Sequence, residues 1–573
     1  MNPEHLLQHF DRLSEAPDAI ARLRRFILDL AVRGKLVEQD TNDEPGSELL
    51  KRNLVWRAEA IKNKQIREPR KTLKDISHVE TLYALPAGWA FARLGEIIYI
   101  QSGDGLIASN MKNGDVPVFG GNGINGYHDE SNVEKPTIVI GRVGYYCGSI
   151  HVTPYKAWVT DNAFITRFCQ QAISMDFLVL LLNGTNLKEN ENATAQPVIS
   201  GSKLYPIVIG LPPLAEQHRI VAKVDELMAL CDQFQAAQTE REQCRDRLVA
   251  ASLHQLQNAN GFTPRHQDAK KDEKAEQENL GTLAPWREPM FLQNLPRLTT
   301  RPAHIKQLRQ TILNLAVRGK LVPQDPNDEP AAELLKRIKA EKSQLLKEGK
   351  IKKLEMPSEV DEDETPFELP NNWCWSRLDN VLSKLTDGTH HSPPNDQNGE
   401  FKYVTAKNIK PEGVSLANIT NVSAEIHWEI YARCNPEKGD ILYIKDGATT
   451  GVVTINNLDE PFSMLSSVAL LKLPGCLFNR LIVEFLRSPF FYDQMRGFMK
   501  GAAITRVTLK RMAPALIPLP PIAEQYRIVA KVDELMTLCD QLETQLNTTQ
   551  ADSRRLLEAV LHEALASTPK EAV

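Results

Sequence analysis

One 25-residue segment occurs twice in this chain of 573 residues. Residues 211–235 read LPPLAEQHRIVAKVDELMALCDQFQ and residues 519–543 read LPPIAEQYRIVAKVDELMTLCDQLE, with 20 identical positions. A second pair, LRRFILDLAVRGKLVEQDTNDEPGSELLKR at 23–52 and LRQTILNLAVRGKLVPQDPNDEPAAELLKR at 308–337, agrees at 23 of 30 positions. A shorter third pair is LPAGWAFARL at 85–94 and LPNNWCWSRL at 369–378. Internal repeats of this kind determine the architecture, so they are interpreted first.

The separation between the copies shows where the two halves differ. It is 285 residues for the second pair, 284 for the Trp89/Trp373 pair and 308 for the first pair. The second half of the chain therefore has 24 more residues than the first half between its tryptophan motif and its Leu-Pro-Pro motif. The segments there show no similarity by inspection, whereas drift after a tandem duplication would blur all segments alike. We therefore predict that the shared segments, called the frame, do one job twice. The segments between them, insert 1 (85–210) and insert 2 (369–518), do different jobs.

The segment after each Leu-Pro-Pro is predicted to be one long helix. At ~1.5 Å per residue, residues 523–565 would span about 65 Å. Its second copy has a mostly apolar heptad seam, typical of a coiled coil, formed by Ile528, Val532, Leu535, Cys539, Leu542, Leu546, Thr549, Ser553, Leu556 and Val560. The first copy has the seam Ile220, Val224, Leu227, Cys231, Phe234, Gln238, Arg241, Arg245 and Leu248. Cys231 and Cys539 are predicted to be buried apolar positions rather than ligands.

Shorter helices and polar segments complete the predicted organisation. Leu23, Ile27, Leu30 and Ala31 lie on one helix face that ends at Gly34, which suits a left-handed C-cap, and 308–319 repeats the pattern. The predicted regions are an N-terminal helical region at 1–84, insert 1 at 85–210, a central region at 211–337, a charged linker at 338–368, insert 2 at 369–518 and a C-terminal helix at 519–573. Within the central region we predict a long helix at 214–258, a polar linker at 259–300 and a helix at 303–337.

Both inserts are predicted to be small α/β domains. Insert 1 has a β-branched strand at 137–140 and a helix at 175–182, and insert 2 has strands at 440–444 and 451–455, a turn at Asp446–Gly447 and a helix at 481–486. Gly121, Gly123 and Gly126 fit GxGxxG, but Pro136 interrupts the helix that a dinucleotide site requires directly afterwards. We expect a glycine-rich surface loop there and a surface turn at His390–His391.

Composition and motifs limit the class of protein. Apolar residues make up 42% and charged residues 25% of the chain, as in soluble globular proteins. No signal-peptide pattern follows Met1, and no apolar run approaches the ~20 residues of a membrane span. The eight cysteines form no CxxC pair, which indicates neither a zinc site nor a disulfide framework. Adenine-methylation and phosphate-loop motifs are missing, so we predict a cytoplasmic, non-catalytic protein.

This arrangement resembles the specificity subunit of type I restriction–modification enzymes, over nearly the whole chain. The repeated LPPxAEQxRIVAKVDELMxLCDQ is the most specific motif, and GGNGINGY (120–127), IGRVGYYCG (140–148) and GDILYIKDGATTG (439–451) also fit. The resemblance implies two unlike α/β target-recognition domains, joined by long α-helices in an antiparallel coiled-coil scaffold with a pseudo-twofold repeat. It implies a bipartite, asymmetric double-stranded DNA target, two methylation subunits and, through them, two restriction subunits. S-adenosylmethionine, ATP and Mg²⁺ would bind those partners, with no cofactor or metal on this chain.

The charge balance leaves an alternative open. The net charge is −5; residues 86–210 carry 8 Lys/Arg against 10 Asp/Glu, and residues 370–518 carry 16 against 14. Because phosphate contacts dominate non-specific affinity, neither insert should hold DNA strongly alone. A subunit that contacts bases while its partners hold the backbone needs no positive excess. The alternative is a duplicated coiled-coil adaptor whose inserts bind proteins.

The candidate DNA-contacting residues are those whose side chains commonly contact base edges or wedge between bases. They lie in turn-rich parts of both inserts, and each could instead be an ordinary turn or surface position. The candidates are Asn122, Asn125, Arg142, Tyr145, Tyr146, Lys156, Thr389, His390, Lys407, Asn408, Lys445 and Thr449. Trp89 and Trp373 occur in both frame copies and are assigned to packing.

Overall fold

The computed structural model describes residues 18–67, 73, 76, 84–144, 146–185, 187, 198–258, 299–349, 359–497 and 506–566. The chain forms two compact units, one of residues 1–241 with 550–573 and one of residues 242–549. The boundary after residue 241 falls inside the 45-residue helix Leu214–Asn258, and the boundary after residue 549 falls inside the 45-residue helix Ile522–Ala566. Each unit therefore contains the beginning of one long helix and the end of the other.

Helices form the frame, and shorter helices occur in the inserts. In chain order they are α1 (Ala19–Val32), α2 (Gly46–Lys62), α3 (Leu94–Ile97), α4 (Met175–Gly184), α5 (Gly201–Leu204), α6 (Leu214–Asn258), α7 (Pro302–Val317), α8 (Ala331–Lys347), α9 (Leu378–Val381), α10 (Ala424–Arg433), α11 (Asn479–Arg487), α12 (Pro489–Arg496), α13 (Leu509–Met512) and α14 (Ile522–Ala566). Among the described residues, no helix combines the length and the apolar composition that a membrane span needs.

The apolar face of α1 packs against the first half of α6, and the apolar face of α7 packs against the first half of α14. The buried residues in the first unit include Ile27, Ala31, Ile220, Val224 and Cys231. The equivalent residues in the second unit are Ile312, Ala316, Ile528, Val532 and Cys539. Both cysteines are buried, as predicted, and burial raises the pKa of the Cys539 thiol to about 11.

The predicted C-caps of α1 and α7 are confirmed. Gly34 and Gly319 adopt left-handed φ angles of 69° and 66°, a conformation that glycine adopts without the steric cost of a Cβ atom. A Cβ at Gly34 would also lie 2.9 Å from the Trp89 ring, and one at Gly319 would lie 3.2 Å from Trp373. The helix ends and the tryptophan motifs of the frame therefore pack together in both copies.

The predicted heptad seam is wrong in the second half of α6. Leu248, which was assigned to the seam, is 53% exposed, whereas its neighbour Val249 is 3% exposed. Val249 lies 18 residues after the buried Cys231, which is five turns at ~3.6 residues per turn. In α14 the buried Leu557 stands in the same relation to Cys539. Near the end of each long helix, the buried side chain therefore lies one position after the predicted seam residue, Val249 after Leu248 and Leu557 after Leu556.

Two predicted boundaries of the central region also change. The helix predicted at 303–337 is two helices, α7 and α8, because the chain turns at Gly319 and Pro330 precedes α8. Helix α8 continues to Lys347, into the predicted charged linker, because its residues Leu334 and Ile338 are buried in a core shared with insert 2. The predicted polar linker at 259–300 lies outside the described residues except for its last two positions.

In the described residues, insert 1 contains two larger sheets and one two-stranded ladder. Its strands are β1 (Ala90–Arg93), β2 (Ile98–Ser102), β3 (Val116–Gly120), β4 (Gly123–His128), β5 (Ile138–Gly141), β6 (Ile150–Val152), β7 (Trp158–Val159), β8 (Ala163–Phe168) and β9 (Val208–Leu211). One sheet has the order β2-β8-β5-β6 and the other β4-β3-β7, with β7 parallel to β3. Strands β1 and β9 pair antiparallel, Ala90 opposite Leu211, and thus bring the ends of the insert together.

Insert 2 repeats this topology. Its strands are β10 (Cys374–Arg377), β11 (Lys384–Asp387), β12 (Phe401–Val404), β13 (Ile409–Lys410), β14 (Gly413–Val414), β15 (Thr420–Val422), β16 (Ile441–Ile444), β17 (Val453–Ile455), β18 (Ser463–Met464), β19 (Val468–Lys472) and β20 (Leu516–Leu519). Its sheets have the orders β11-β19-β16-β17 and β15-β12-β18, with β18 parallel to β12. Strands β10 and β20 close the insert, Cys374 opposite Leu519.

The inserts are therefore unlike in sequence, as expected, but they share one fold. Insert 2 is longer mainly because the small β13–β14 ladder and α10 lie in segments that are short connections in insert 1. The predicted strands at 137–140, 440–444 and 451–455 correspond to β5, β16 and β17, and the predicted helices correspond to α4 and α11. The α/β character of both inserts is thus confirmed.

Candidate nucleic-acid interface

The glutamate of the repeated Ala-Glu-Gln motif connects each long helix to the rest of the frame. Glu524 is buried and accepts hydrogen bonds from Trp373 Nε1 at 2.9 Å and Gln324 Nε2 at 2.6 Å. Trp373, which was assigned to packing, is therefore also a donor. In the first copy, Glu216 accepts from Gln39 Nε2 at 3.0 Å. Burial raises the pKa of both glutamates.

The following glutamine holds the insert itself. Gln525 is fully buried, and its Oε1 accepts from the backbone N–H of Phe478, the residue just before α11, at 3.3 Å. Gln217 makes the equivalent contact, accepting from the backbone N–H of Ser174, just before α4, at 2.8 Å. The motif thus fixes the same helix of each insert against the frame.

A loop of the same length, with matching backbone hydrogen bonds at its described residues, follows β5 in insert 1 and β16 in insert 2. Loop 1 is Arg142–Gly148, RVGYYCG, and loop 2 is Lys445–Gly451, KDGATTG. In each loop the residue before the second glycine donates to the first glycine, Cys147 to Gly144 at 2.9 Å and Thr450 to Gly447 at 3.1 Å. The glycines with left-handed φ angles are Gly144 (95°), Gly148 (81°), Gly447 (103°) and Gly451 (100°).

Each loop begins with a cation at the same place in its sheet. The backbone N–H of Arg142 donates to Asn162, and that of Lys445 donates to Ser467, both at 2.9 Å. The side chains turn towards the end of the first strand of the sheet, β2 or β11. Arg142 donates to Ser102 Oγ at 3.3 Å, whereas Lys445 forms an ion pair with Asp387 at 3.4 Å.

Asp387 lies at the centre of a charged cluster in insert 2. It is buried and forms ion pairs with Lys445 and with the Arg433 guanidinium at the end of α10. His390 Nε2 lies 3.4 Å from the same carboxylate. Lys445 also contacts Asp446 at 3.0 Å. Loop 2 is therefore held by charge pairs centred on the buried side chains of Lys445 and Asp387, and loop 1 is held by contacts to neutral groups.

The family comparison accounts for the duplicated layout. The family model described as "Type I restriction modification DNA specificity domain" matches residues 86–241 and 370–549, more than half of the chain. The chain belongs to this family. The two matched regions end at residues 241 and 549, which are also the boundaries between the two compact units. Each specificity domain therefore comprises an insert and the first half of the long helix that follows it.

Full-length relatives agree with this assignment. The type I restriction enzyme EcoAI specificity subunit of Escherichia coli is 31% identical over 95% of this chain and 94% of its own length. The EcoEI specificity subunit of Escherichia coli is 30% identical over the same shares of both chains. Among solved structures, the HsdS subunit from Thermoanaerobacter tengcongensis is 19% identical, with a TM-score of 0.38 over 85% of this chain and 98% of that one.

The candidate DNA-contacting residues of the two specificity domains divide by exposure. The exposed candidates are Asn122, Asn125, Tyr146, Lys156, His390, Lys407 and Thr449. Arg142 is half-buried, and Tyr145 lies outside the described residues. The structure brings Asn122 close to loop 1, since Ser149 Oγ donates to the Gly121 carbonyl at 2.8 Å. It brings His390 close to loop 2 through Asp387.

Three candidates are buried, which corrects their predicted position at the surface. Thr389 donates its hydroxyl to the His391 carbonyl at 3.2 Å. Asn408 accepts from the backbone N–H of Thr405 at 3.1 Å and thereby closes a short turn. Lys445 belongs to the Asp387 cluster. Their side chains are engaged within the domain, so they shape the neighbouring surface instead of forming it.

The glycine-rich segment of insert 1 is a hairpin rather than the expected loop. Strands β3 and β4 are joined by only Gly121 and Asn122, and Gly123–His128 is a strand. A Cβ at Gly120 or Gly126 would collide with the neighbouring Asn125 or Met111 side chain. The strand that follows these glycines is incompatible with a dinucleotide-binding loop, which leads into a helix.

Sequence inspection missed the equivalence of the two loops and the role of Asp387. Both loops follow a buried strand and share the pattern Arg/Lys-x-Gly-x-x-x-Gly, which a search between the inserts could have found. Nothing in the sequence links Asp387 to Lys445, since 57 residues separate them. The antiparallel pairing of β11 and β16 with the shared neighbour β19 brings them together.

The described residues contain one group of potential metal ligands, His128, Asp129 and Glu130. Lys112 Nζ lies 3.0 Å from Glu130 Oε1 and 3.7 Å from Asp129 Oδ2. The backbone N–H of Lys112 donates to His128 Nδ1 at 3.0 Å. Because a lysine ammonium already supplies the positive charge, we assign this group to an ion-pair network.

Proposed function

We propose that this chain supplies the DNA specificity of a type I restriction–modification complex by contacting a bipartite, asymmetric sequence, one half-site for each insert. The carrying observation is that the inserts share one topology and one loop geometry but present different side chains. Like backbones with unlike side chains imply two half-sites of different sequence. Family membership gives no support to the alternative of an adaptor that binds only proteins.

We also propose that the long helices run antiparallel and give the frame a pseudo-twofold axis. The support comes from within each unit: α1 contacts the first half of α6 and the end of α14, and α7 contacts the first half of α14 and the end of α6. The contacts are Arg24–Asp232 (2.5 Å), Arg22–Glu558 (2.6 Å), Arg309–Asp540 (2.7 Å) and His304–Asp246 (2.8 Å). On B-form DNA, half-site centres on one face would lie about 10 bp apart.

A duplicated frame offers the same docking surface twice, because equivalent residues of a pseudo-twofold meet equivalent partners. We therefore propose that two methylation subunits bind the chain and that two restriction subunits bind through them. S-adenosylmethionine, ATP and Mg²⁺ belong to those partners in this proposal, and the chain works in the cytoplasm without catalysing a reaction. Native mass spectrometry of the complex tests the two-to-one stoichiometry, and a one-to-one complex as the sole species contradicts it.

The decisive test of the proposed function is selection of random-sequence duplexes by the full chain in complex with its methylation partner. Two unlike half-sites at a fixed separation are expected. A palindromic target, or no sequence preference, would contradict the proposal. The purified chain alone, incubated with S-adenosylmethionine and the selected DNA, should show no methyl transfer, and turnover by the chain alone would refute its non-catalytic role.

A further inference from the structure

Loops 1 and 2 have the same length, whereas some other connections in the two inserts differ in length. Strands β3 and β4 are joined by two residues, whereas β12 and β15 are separated by the fifteen residues 405–419. Strands β4 and β5 are separated by the nine residues 129–137, and β15 and β16 by the eighteen residues 423–440. In contrast, eight residues separate β5 from β6 and β16 from β17, namely 142–149 and 445–452. The length of this connection is therefore kept, as it also is between β2 and β3 and between β11 and β12 (thirteen residues each) and between β7 and β8 and between β18 and β19 (three residues each).

The glycines at the start of each loop are present for backbone conformation, not for packing. A Cβ added at Gly144 or Gly447 would meet no atom within 4 Å. Their φ angles of 95° and 103° are strained for any other residue. Since no neighbouring atom requires the small residue, the glycines are explained by the backbone conformation that both loops adopt at these positions.

The two loops place different side chains at one equivalent exposed position. Tyr146 and Thr449 are both two residues before the second loop glycine, and Tyr146 is 50% exposed. Thr449 is also exposed. A tyrosine ring can wedge or stack against bases, and a threonine offers a hydroxyl for base edges and a methyl group for thymine. The same backbone therefore presents two chemistries for base recognition.

We propose that loops 1 and 2 are the base-contacting loops of the two half-sites, with Tyr146 and Thr449 as equivalent specificity-determining residues. This inference rests on the proposed function and adds to it the element and the position that each insert uses. Arg142 and Lys445 act as positioning residues, because their side chains fix the first residue of each loop to the end of β2 or β11.

The test compares single variants of the full chain in its complex with the methylation partner, using the same random-sequence duplex library. Tyr146→Ala should lower the preference for at least one base of a single half-site by about 10-fold and leave the other half-site unchanged. Thr449→Val should do the same at the opposite half-site. Tyr146→Phe separates ring contacts from contacts of the hydroxyl group.

Tyr155→Ala and Leu416→Ala are the matched controls, since both side chains are exposed in the inserts but lie outside the loops. They should retain the wild-type preference at both half-sites. The inference is overturned if Tyr146→Ala and Thr449→Val form complexes with the methylation partner yet select the wild-type sequence, or if either variant affects both half-sites equally. If the wild-type complex selects no sequence, the proposed function fails and this inference fails with it.

Discussion

Insert 1 and insert 2 have the same strand order and the same loop geometry, but they stabilise that loop by different means. In insert 2, Lys445 is buried in a cluster with Asp387 and Arg433. In insert 1, Arg142 contacts the neutral Ser102 and lies 5.5 Å above the Phe164 ring. The comparison shows that strand pairing and glycine positions preserve a backbone, while the side chains that support it can change completely.

The largest effects should appear where the inserts are alike. Ile165 and Leu470 occupy equivalent buried positions on β8 and β19. Substituting either with alanine should lower the free energy of unfolding of its own insert by about 3 kcal/mol, because each change leaves a cavity in a closed core. Hydrogen exchange of the amides in β5 measures the stability of insert 1, and exchange of those in β16 measures the stability of insert 2. A loss in one insert only would mean that the two cores are not equivalent.

A smaller and unequal effect is expected at the loop cations. Lys445→Ala leaves the buried Asp387 with one cation fewer, so local stability at loop 2 should fall by about 2 kcal/mol. Arg142→Ala removes hydrogen bonds to neutral acceptors from a half-buried side chain and should cost about 1 kcal/mol or less. Hydrogen exchange of the amides in β17 measures the loss for Lys445→Ala, and exchange of those in β6 measures the loss for Arg142→Ala. Equal losses would contradict the distinction between the two loops.

The smallest effect should come from giving insert 1 the arrangement of insert 2. Ser102→Asp places a carboxylate beside Arg142, at the position that corresponds to Asp387. Because this site is more exposed, we expect a gain of about 0.5 kcal/mol at loop 1, reduced by added salt. Ser102→Asn is the uncharged control. A gain of the same size in the control would exclude an ion pair as the cause.

The sequence predicted the frame well because its two copies are nearly identical and its apolar residues have a clear helical period. The C-cap positions of Gly34 and Gly319 and the burial of the two cysteines could be predicted from local rules. The exposure of Leu248 could not, because a heptad and a straight helix diverge only after several turns. The contacts of Lys445 with Asp387 depend on strand pairing between distant segments, which side-chain periodicity does not specify. For the same reason Thr389 and Asn408 could not be recognised as buried.

We propose that the inserts carry the specificity and that the frame presents them symmetrically. The sharpest test replaces residues 90–211 with a second copy of residues 374–519, since the paired strands β1–β9 and β10–β20 close the inserts equivalently. The complex of this chimera with the methylation partner is then used to select DNA from a random-sequence duplex library. We expect an interrupted palindrome built from two copies of the insert 2 half-site. Selection of the original asymmetric sequence would contradict it.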